Sequence, residues 1–336
     1  MTQTHQLAAV RPQQTRGFAW GRLGHWAKEQ YPLYILIALL IIAGFATDAF
    51  FTQRNLTNVI LQVSVIGIVT LAQFLVVLTG GIDISVGSVV GLAGVLSTGL
   101  FSGASVPVAI LVAVGVGAMV GAINGYLVAF RGLEAFIVTL GMLALARGLV
   151  YAYTEGIPVI PAAENFRSIA TSTVLGFPVI GLLWLGLALV LAFIVRRTVF
   201  GRRIYAVGSN KEAARASGVP VKSTILGVYI LAGILVGFAG FLLASRVGVG
   251  TPTAGSLYEL DAIAAVVIGG ASLAGGKGRV FGAVVGTLIF AVITNLLVLL
   301  NVSTYLQDAF RGALILVAVV LTTVHFAKRK KAQQLV

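Results

Sequence analysis

Residues 106–130 read "VPVAILVAVGVGAMVGAINGYLVAF", a run without a single acidic or basic side chain. A helix of about 20 apolar residues crosses the hydrocarbon core of a bilayer, which is roughly 30 Å thick. Gly117, Gly121 and Gly125 recur at helical spacing within the run and therefore share one helix face. Because small residues let helix backbones approach closely in lipid, the stretch predicts a membrane-spanning helix packed inside a bundle.

Comparable apolar segments follow one another along the rest of the chain. Of its 336 residues, 58% are hydrophobic and 10% are charged, whereas a soluble domain carries about 25% charged residues. We therefore expect an all-α polytopic membrane protein with a transmembrane domain over residues 31–327. Its ten expected spans lie near residues 31–51, 56–78, 84–102, 106–130, 134–153, 176–195, 223–245, 260–275, 280–300 and 306–327.

Basic residues are concentrated on one side of these expected spans. Eighteen Lys and Arg residues fall in the tails and loops of one side, and the other side holds Arg54, Arg167 and Arg246. Because basic loops stay in the cytoplasm, both termini are expected inside, as an N-terminal tail over residues 1–30 and a C-terminal tail over residues 328–336. The net charge of +13 is then a topology signal, and no nucleic-acid partner is expected.

The sequence also lacks the residues of several kinds of chemical site. It contains no cysteine, so disulfides, thiol nucleophiles and thiolate metal sites are excluded. His5, His25 and His325 are scattered through the tails and are not grouped as metal ligands. We expect no catalytic residue, no metal and no cofactor.

The longest loop on the basic side, residues 196–222, carries signals for a short helix: "RRTVFGRRIYAVGSNKEAARASGVPVK". Ser209 precedes Glu212 by three positions, which is the spacing of a capping box. Gly218 suits a left-handed cap at the end of a helix over residues 210–217. Because so short a helix is marginal in water, it must dock against something. It is either a docked connector between two spans or a helix shaped to fit a cytoplasmic partner.

One stretch, "GGASLAGGKGR" (269–279), imitates a phosphate-binding loop. A P-loop requires a glycine five positions before the Gly-Lys pair and Ser or Thr directly after it. Ala271 and Gly278 occupy those two positions here, so the motif fails twice. We therefore expect no ATPase site in this chain, and any ATP hydrolysis must come from a partner.

Polar residues inside the expected spans are candidates for a translocation path. Asp83, in "TGGIDISVGS" (79–88), lies between the second and third spans, and a carboxylate at the centre of a helix in lipid costs about 3 kcal/mol. It could cap the start of the third span, line the substrate path or relay protons. The other path candidates, which hydrogen bonding between helices explains equally well, are Ser85, Asn124, Arg147, Asn295 and Arg311.

Two further patterns concern helix pairing. Asp308 stands three positions before Arg311, so the two side chains can pair on one helix face. "GAMVG" (117–121) is echoed by "GAVVG" (282–286), and "ARG" (146–148) by "FRG" (310–312), five spans further on in each case. This spacing is that of a 5+5 inverted repeat of the kind found in transporters. A chance echo in a chain so rich in Gly, Ala and Val is the alternative.

Three stretches together resemble a known family. They are "GRRIYAVGSNKEAARASGV" (201–219), "TGGIDISVGS" and "ELDAIAAVVIGGASLAGGKGR" (259–279), and the resemblance covers nearly the whole chain after residue 30. The family is the permease subunits of bacterial ABC importers of the ribose, arabinose and xylose type. In that family a short cytoplasmic helix fits a cleft on an ATPase subunit. The resemblance and the residues around it give the expected ATPase-coupling set of Ser209, Asn210, Lys211, Glu212, Ala213, Ala214, Arg215 and Gly218.

The resemblance implies a permease that carries a monosaccharide across the bacterial cytoplasmic (inner) membrane and performs no covalent chemistry. The implied partners are a cytoplasmic ABC ATPase with tandem domains, a periplasmic sugar-binding protein and a second permease copy. Two alternatives remain open. One is an ABC permease for another small solute, such as a branched-chain amino acid or a signalling sugar. The other is an ion-coupled secondary transporter, which needs a coupling-ion site at mid-membrane, for which Asp83 is the candidate.

Overall fold

Apolar runs form helices over most of the chain that the structure, a computed structural model, describes: residues 30–99, 105–161, 165–314 and 316. The helices, in chain order, are α1 (Tyr31–Ala46), α2 (Gln53–Leu78), α3 (Val86–Gly99), α4 (Val106–Phe130), α5 (Ala135–Thr154), α6 (Ser168–Thr171), α7 (Val179–Arg197), α8 (Val199–Ser209), α9 (Lys211–Ala216), α10 (Val221–Val247), α11 (Tyr258–Ile268), α12 (Val280–Leu299) and α13 (304–314). An antiparallel hairpin, β1 (Thr173–Val174) and β2 (Phe177–Pro178), precedes α7. The segment up to Tyr31 is a unit of its own, and the bundle belongs to the unit from Pro32 onward. The expected tails, apart from residue 30, and the last expected span beyond residue 316 lie outside the described residues.

The described helices reproduce the expected pattern of spans. Six of them, α2, α4, α5, α7, α10 and α12, are long and apolar enough to cross a membrane, and α1 and α3 are shorter apolar helices. With α11 and α13, each of the ten expected spans overlaps one helix. The expectation of an all-α membrane protein is confirmed, while the number of crossings and the side of each terminus stay predictions.

Several expected spans have the wrong bounds, and the first, expected to reach residue 51, ends with α1 at Ala46. The sixth was expected from residue 176, but the hairpin occupies residues 173–178 and α7 begins only at Val179. The eighth was expected to reach residue 275, but α11 ends at Ile268. The chain after Ile268 is rich in glycines with positive φ, a conformation that a helix cannot contain. The eighth segment is therefore a short helix followed by an irregular loop over residues 269–279.

Backbone-to-backbone packing holds the centre of the bundle together, as the glycine spacing predicted. Gly117 and Gly121 of α4 face Gly233 and Gly237 of α10. A Cβ on Gly117 would overlap the Gly233 carbonyl oxygen and lie 2.8 Å from the Gly237 Cα. The α4–α10 interface is the most extensive in the described bundle, and only small residues permit this approach.

The two halves of the bundle are built in the same order. In the first half the long helix α2 is followed by an irregular segment, residues 79–85, and then by the short helix α3. In the second half the long helix α10 is followed by an irregular segment, residues 248–257, and then by the short helix α11. The contacts correspond as well, because α10 packs on α3 and α4 while α2 packs on α11 and α12.

Candidate functional site

The loop over residues 196–222 contains two helices, and the sequence predicted only one of them. The missed helix, α8, starts at a sharp turn at which the Thr198 hydroxyl donates to the Ile194 carbonyl (2.6 Å) and accepts from the Gly201 N–H (3.1 Å). Gly201, Ile204 and Val207 are buried, so α8 lays one face on the bundle. The intervening arginines, Arg202 and Arg203, are exposed. The sequence did not reveal this apolar face, because charged arginines lie between its buried residues along the chain.

The polar helix α9 is capped by a different residue from the one predicted. The Asn210 Oδ1 accepts from the Ala213 N–H at 2.9 Å, which makes Asn210 the N-cap. Ser209 is instead the last residue of α8, and the Glu212 carboxylate contacts the Arg215 guanidinium at 3.1 Å. The predicted Ser209–Glu212 capping box is therefore wrong. Asn caps a helix about as well as Ser. Because Ser209 still belongs to α8, Asn210 takes the N-cap position of α9.

The C-terminal end of α9 is closed by the predicted glycine. Gly218 has a φ of +76°, in the left-handed region that favours glycine. Its N–H donates to the Arg215 carbonyl and the Val219 N–H donates to the Ala214 carbonyl, each at 3.0 Å. This pair of bonds is a Schellman motif, which satisfies carbonyls that the last turn leaves free. The helix ends at Ala216, one residue earlier than predicted.

Exposure separates the coupling candidates into two groups. Ala214 is only 5% exposed and packs into the main hydrophobic core, so it attaches α9 to the bundle. The outward-facing residues are Ser209, Asn210, Lys211, Glu212, Ala213, Arg215 and Gly218. Ala214 is therefore not part of the surface that α9 presents to a partner.

A junction of four glycines joins the end of α8 to the start of the segment over residues 79–85 and to the loop over residues 269–279. The Gly276 N–H donates to the carbonyl of Leu78, the last residue of α2, at 2.9 Å. Gly208 lies against both of these groups, because a Cβ on it would overlap the Leu78 carbonyl and lie 2.6 Å from the Gly276 nitrogen. A Cβ on Gly275 would lie 2.8 Å from both the Gly208 oxygen and the Gly80 nitrogen. We name Gly80, Gly208, Gly275 and Gly276 the glycine junction.

A side-chain hydrogen bond from α8 reinforces this junction. The Tyr205 hydroxyl donates to the Gly278 carbonyl at 2.8 Å. Burial raises the pKa of the Tyr205 phenol above its ordinary value, so the phenol stays protonated and remains a donor at neutral pH. The sequence offered no signal for this contact, because Tyr205 and Gly278 are far apart along the chain.

Three of the predicted path residues meet in one buried cluster. The Asp83 Oδ1 accepts from the N–H (2.8 Å) and the hydroxyl (2.6 Å) of Ser85, and the Asn124 amide of α4 donates to the Ser85 hydroxyl at 3.1 Å. Asp83 thus orders the turn that precedes α3, which favours the structural role among the three considered. Tyr229 of α10, which the sequence reasoning missed, is buried near this turn, with its hydroxyl oxygen 3.0 Å from a Cβ placed on Gly81.

The other path candidates are dispersed, and each has a partner of its own. The Arg147 Nη1 of α5 donates to the carbonyls of Pro252 (2.7 Å) and Ala254 (3.1 Å) and so holds the segment after α10. Asn295 of α12 and Asn55 of α2 exchange amide hydrogen bonds at 2.8 and 3.0 Å. The predicted pair of Asp308 and Arg311 is confirmed, with the Arg311 Nη1 3.5 Å from the Asp308 Oδ1. Among the described residues, no group of three or more His, Cys, Asp or Glu side chains could hold a metal ion.

The bundle is all-α, with irregular segments between α2 and α3 and between α10 and α11. Polar groups are buried between its helices, and a capped polar helix docks on it. This is the organisation of a membrane permease. Residues 55–319 match the family described as "Branched-chain amino acid transport system / permease component", and the chain belongs to this family.

Curated relatives extend this finding over most of the chain. The ribose import permease protein RbsC of Escherichia coli strain K12 is 41% identical over 305 residues, which cover 88% of this chain and 94% of the relative. The D-allose transport system permease protein AlsC of the same organism is 38% identical over 297 residues, or 87% and 91% of the two chains. Its xylose transport system permease protein XylH is 37% identical over 349 residues, or 84% and 88%. No solved structure matches the chain.

Proposed function

We propose that this protein is the membrane-spanning permease of an ABC importer that carries a monosaccharide into the cytoplasm. The observation that carries the proposal is α9, a polar helix with an exposed face that is anchored to the bundle through Ala214. Through α8 it is linked to the segment over residues 79–85 and to the loop over residues 269–279. Caps and a docking contact are needed by any short helix, so the exposed charged face of α9 is what favours a partner over a simple connector. The relatives named for ribose, allose and xylose supply the substrate class.

The sugar reading is favoured over the two alternatives by separate observations. The description of the matched family names branched-chain amino acids. The relatives compared above, which are 37–41% identical to this chain, are named for sugars. An ion-coupled transporter needs an ion site at mid-membrane, and the Asp83 carboxylate is instead occupied by hydrogen bonds from Ser85.

The proposed motor is a cytoplasmic ABC ATPase, with its two domains in tandem, that binds the exposed face of α9. The chain has no P-loop of its own, so the energy must come from that partner. Lys211, Glu212, Ala213 and Arg215 offer charges and a small residue on this face. We place α8, α9 and both termini in the cytoplasm, because the basic residues collect on that side. The membrane is then the bacterial inner membrane, with a periplasmic sugar-binding protein delivering the substrate from the other side.

The glycine junction offers a direct route from the motor to the bundle. A displacement of α9 moves α8, which touches the start of the segment over residues 79–85 and the loop over residues 269–279 through backbone contacts. Each of these irregular segments leads into or out of a short helix, α3 or α11. Nucleotide-dependent movement of α9 would therefore bias both short helices at once, which is a population shift between two states of the bundle.

The exposed faces of α5 and α13 suit a second permease copy. Gly141 and Gly148 of α5 and Gly312 of α13 are exposed, and no described atom lies within 4 Å of a Cβ placed on any of them. Exposed small residues on lipid-facing helices favour close packing with another helix. Gly148 and Gly312 directly follow Arg147 and Arg311, at equivalent places in the two halves. This equivalence and the matching contacts of α2 and α10 support the inverted repeat.

Uptake by intact cells tests the substrate class. The permease is expressed with an ATPase and a binding protein encoded beside it, and uptake of labelled D-ribose, D-allose, D-xylose and L-leucine is measured. The proposal expects uptake of at least one sugar that exceeds L-leucine uptake and is lost when the permease is omitted. Uptake of L-leucine alone would identify an amino-acid permease instead.

A further inference from the structure

A cluster of rings and cations lies where the end of α4 meets the start of α10. The rings of Tyr126 and Phe130, one helical turn apart on α4, are stacked with their centroids 5.6 Å apart. The guanidinium of Arg131, the residue after α4, lies 5.7 Å from the centre of the Tyr126 ring. The Lys222 ammonium of α10 lies 5.7 Å from the centre of the Phe130 ring. Both are cation–π contacts, and we name these four side chains the aromatic–basic cluster.

The two cations of the aromatic–basic cluster have no carboxylate partner. Arg131 and Lys222 are exposed, and within the described part of the chain neither forms an ion pair. Glu134, the acid nearest to Arg131 along the chain, is exposed at the N-cap of α5 and pairs with neither of them. Two positive charges that are held over rings and left uncompensated attract an anionic group.

An exposed apolar stripe leads from this cluster along α4. Its members are four to three residues apart and therefore share one helix face: Met119, Ile123, Tyr126 and Phe130. Each of them is between 41% and 58% exposed, so no described helix covers this face. From Met119 to Phe130 the helix rises about 16 Å, which is roughly half of the hydrocarbon core. The stripe therefore has the length of one bilayer leaflet, with the cations at its headgroup end.

A phospholipid with an anionic headgroup matches both parts of this surface. Its phosphate can accept from the Arg131 guanidinium and the Lys222 ammonium, and such charge-assisted hydrogen bonds are strong. Its acyl chain can lie along the apolar stripe. Inorganic phosphate would use the cations alone. A second permease copy, related by an axis normal to the membrane, would hold its own cations at the same depth, so like charges would approach each other across the contact.

We propose that the aromatic–basic cluster binds an anionic phospholipid, with the headgroup on Arg131 and Lys222 and an acyl chain along the apolar stripe of α4. The inference goes beyond the proposed function and requires only that α4, which is long and apolar enough, spans the membrane. Lys222 lies in the first turn of α10, where the chain enters the bundle after α9. The bound headgroup therefore links the end of α4 to the start of α10 at that place.

Thermal unfolding in bilayers of defined composition tests the site. The full-length permease is placed in nanodiscs of phosphatidylcholine, the share of phosphatidylglycerol is raised stepwise, and the unfolding temperature is measured. A lipid that binds the folded state raises this temperature by mass action. For the parent we expect a saturating rise that high salt weakens and that inorganic phosphate, added to phosphatidylcholine nanodiscs, does not reproduce.

The variants remove the parts of the site one at a time. For Arg131→Gln and Lys222→Gln, the share of phosphatidylglycerol that gives half of the rise should increase about fivefold, because each Lys or Arg near an anionic surface changes the affinity by about that factor. Lys222→Arg keeps the charge and should respond as the parent does, which separates loss of the charge from loss of the fold. Arg203→Gln is the matched control, since it removes an exposed cation of α8 that contacts no ring in the described part of the chain.

The outcomes that contradict the proposal differ in what they put in its place. Equal responses of the parent, Arg131→Gln and Lys222→Gln would refute the site. The same loss with Arg203→Gln would mean a general attraction of surface charge to the bilayer. Stabilisation by inorganic phosphate would leave an anion site without a lipid. If Arg131→Gln separates the permease copies and leaves the response to phosphatidylglycerol unchanged, the stripe is a contact between permeases and the lipid proposal fails.

Discussion

The N–H of Gly276 donates a hydrogen bond of 2.9 Å to the carbonyl oxygen of Leu78. This bond joins the loop that follows α11 to the end of α2, and Gly208 at the end of α8 lies against both groups. Three elements that are distant in sequence therefore meet through their backbones. Direct backbone contacts leave little slack, so we propose the junction as the link between α9 and the helices of the bundle.

The first prediction tests this junction. A Cβ on Gly208 has no room, so Gly208→Ala must push α8 away from Leu78 and Gly276. Overpacking of this kind costs about 1–3 kcal/mol. We expect sugar uptake to fall by about tenfold at matched permease levels, while ATPase co-purification persists because the exposed face of α9 is unchanged. Gly186→Ala is the control, since nothing lies within 4 Å of a Cβ at that position. Equal uptake by the two variants would remove the junction from the coupling route.

The second prediction separates two contacts of α9, that of its exposed face with the ATPase and that of its buried face with the bundle. Ala213 is exposed and Ala214 is buried, although they are adjacent. Ala213→Arg should therefore abolish uptake and ATPase co-purification with normal permease levels, because the change lies on the outward face. Ala214→Arg forces a charge into the core and should lower the permease level itself. Membrane-fraction immunoblots and co-purification distinguish the two, and identical behaviour of the variants would contradict the assigned faces.

The third prediction concerns the exposed pair within α9. The Glu212 and Arg215 side chains are 78% and 59% exposed, and such surface pairs contribute little to stability. Glu212→Ala should leave the permease level unchanged and weaken ATPase co-purification. Lys211→Ala also removes one exposed charge from the same helix and is the matched comparison for Glu212→Ala. A fall in permease level with Glu212→Ala would show instead that the pair holds α9 in place.

The fourth prediction concerns Asp83. Asparagine keeps an Oδ1 that can accept from the N–H and the hydroxyl of Ser85, so Asp83→Asn should retain most uptake and protein level. Asp83→Leu removes the acceptor and leaves the Ser85 N–H unsatisfied in a buried place, which should lower the protein level. Uptake is measured over a range of pH for the parent and both variants. If uptake by the parent depends on pH and Asp83→Asn abolishes this dependence, Asp83 is a proton relay and the structural assignment fails.

The fifth prediction concerns the anchor of the segment after α10. Arg147 holds the Pro252 and Ala254 carbonyls, and each hydrogen bond from a charged group contributes about 1.5–3 kcal/mol. Arg147→Gln should therefore lower the thermal unfolding temperature of the purified permease. Arg54→Gln, at an exposed position at the start of α2, is the control and should leave it unchanged. The same unfolding temperature for both variants would mean that the segment is held by other contacts.

The sequence predicted the membrane-embedded helices well because their signal is local. The four-residue spacing of Gly117 and Gly121 indicated close packing before any partner was known, and Gly233 and Gly237 of α10 are that partner. Helix ends were less predictable, since they depend on contacts. Ser209 and Asn210 are both good N-caps. Which of them caps α9 depends on where α8 ends, and α8 ends beside the contact between Gly208 and the Leu78 carbonyl.

The functional residues were likewise predictable only where their signal is local in the sequence. The family resemblance predicted α9 as the coupling helix, but the burial of Ala214 against the exposure of Ala213 depends on how α9 packs. Asp83 and Asn124 stood out as polar residues in apolar spans, whereas Tyr229 is an ordinary residue of α10 until the fold brings its hydroxyl to the turn at Gly81. Pairings across the bundle carry no local signal in a single sequence.

ATP-dependent uptake by a reconstituted importer tests the central claim most directly. Proteoliposomes that contain the permease and its ATPase are supplied with the binding protein and labelled D-ribose on one side and with ATP on the ATPase side. Uptake is compared between the parent and Ala213→Arg at equal permease content. We expect uptake that requires ATP, that does not respond to imposed ion gradients and that disappears in Ala213→Arg together with ATPase binding. Uptake that proceeds without ATP, or that survives in Ala213→Arg, would contradict a permease driven through the exposed face of α9.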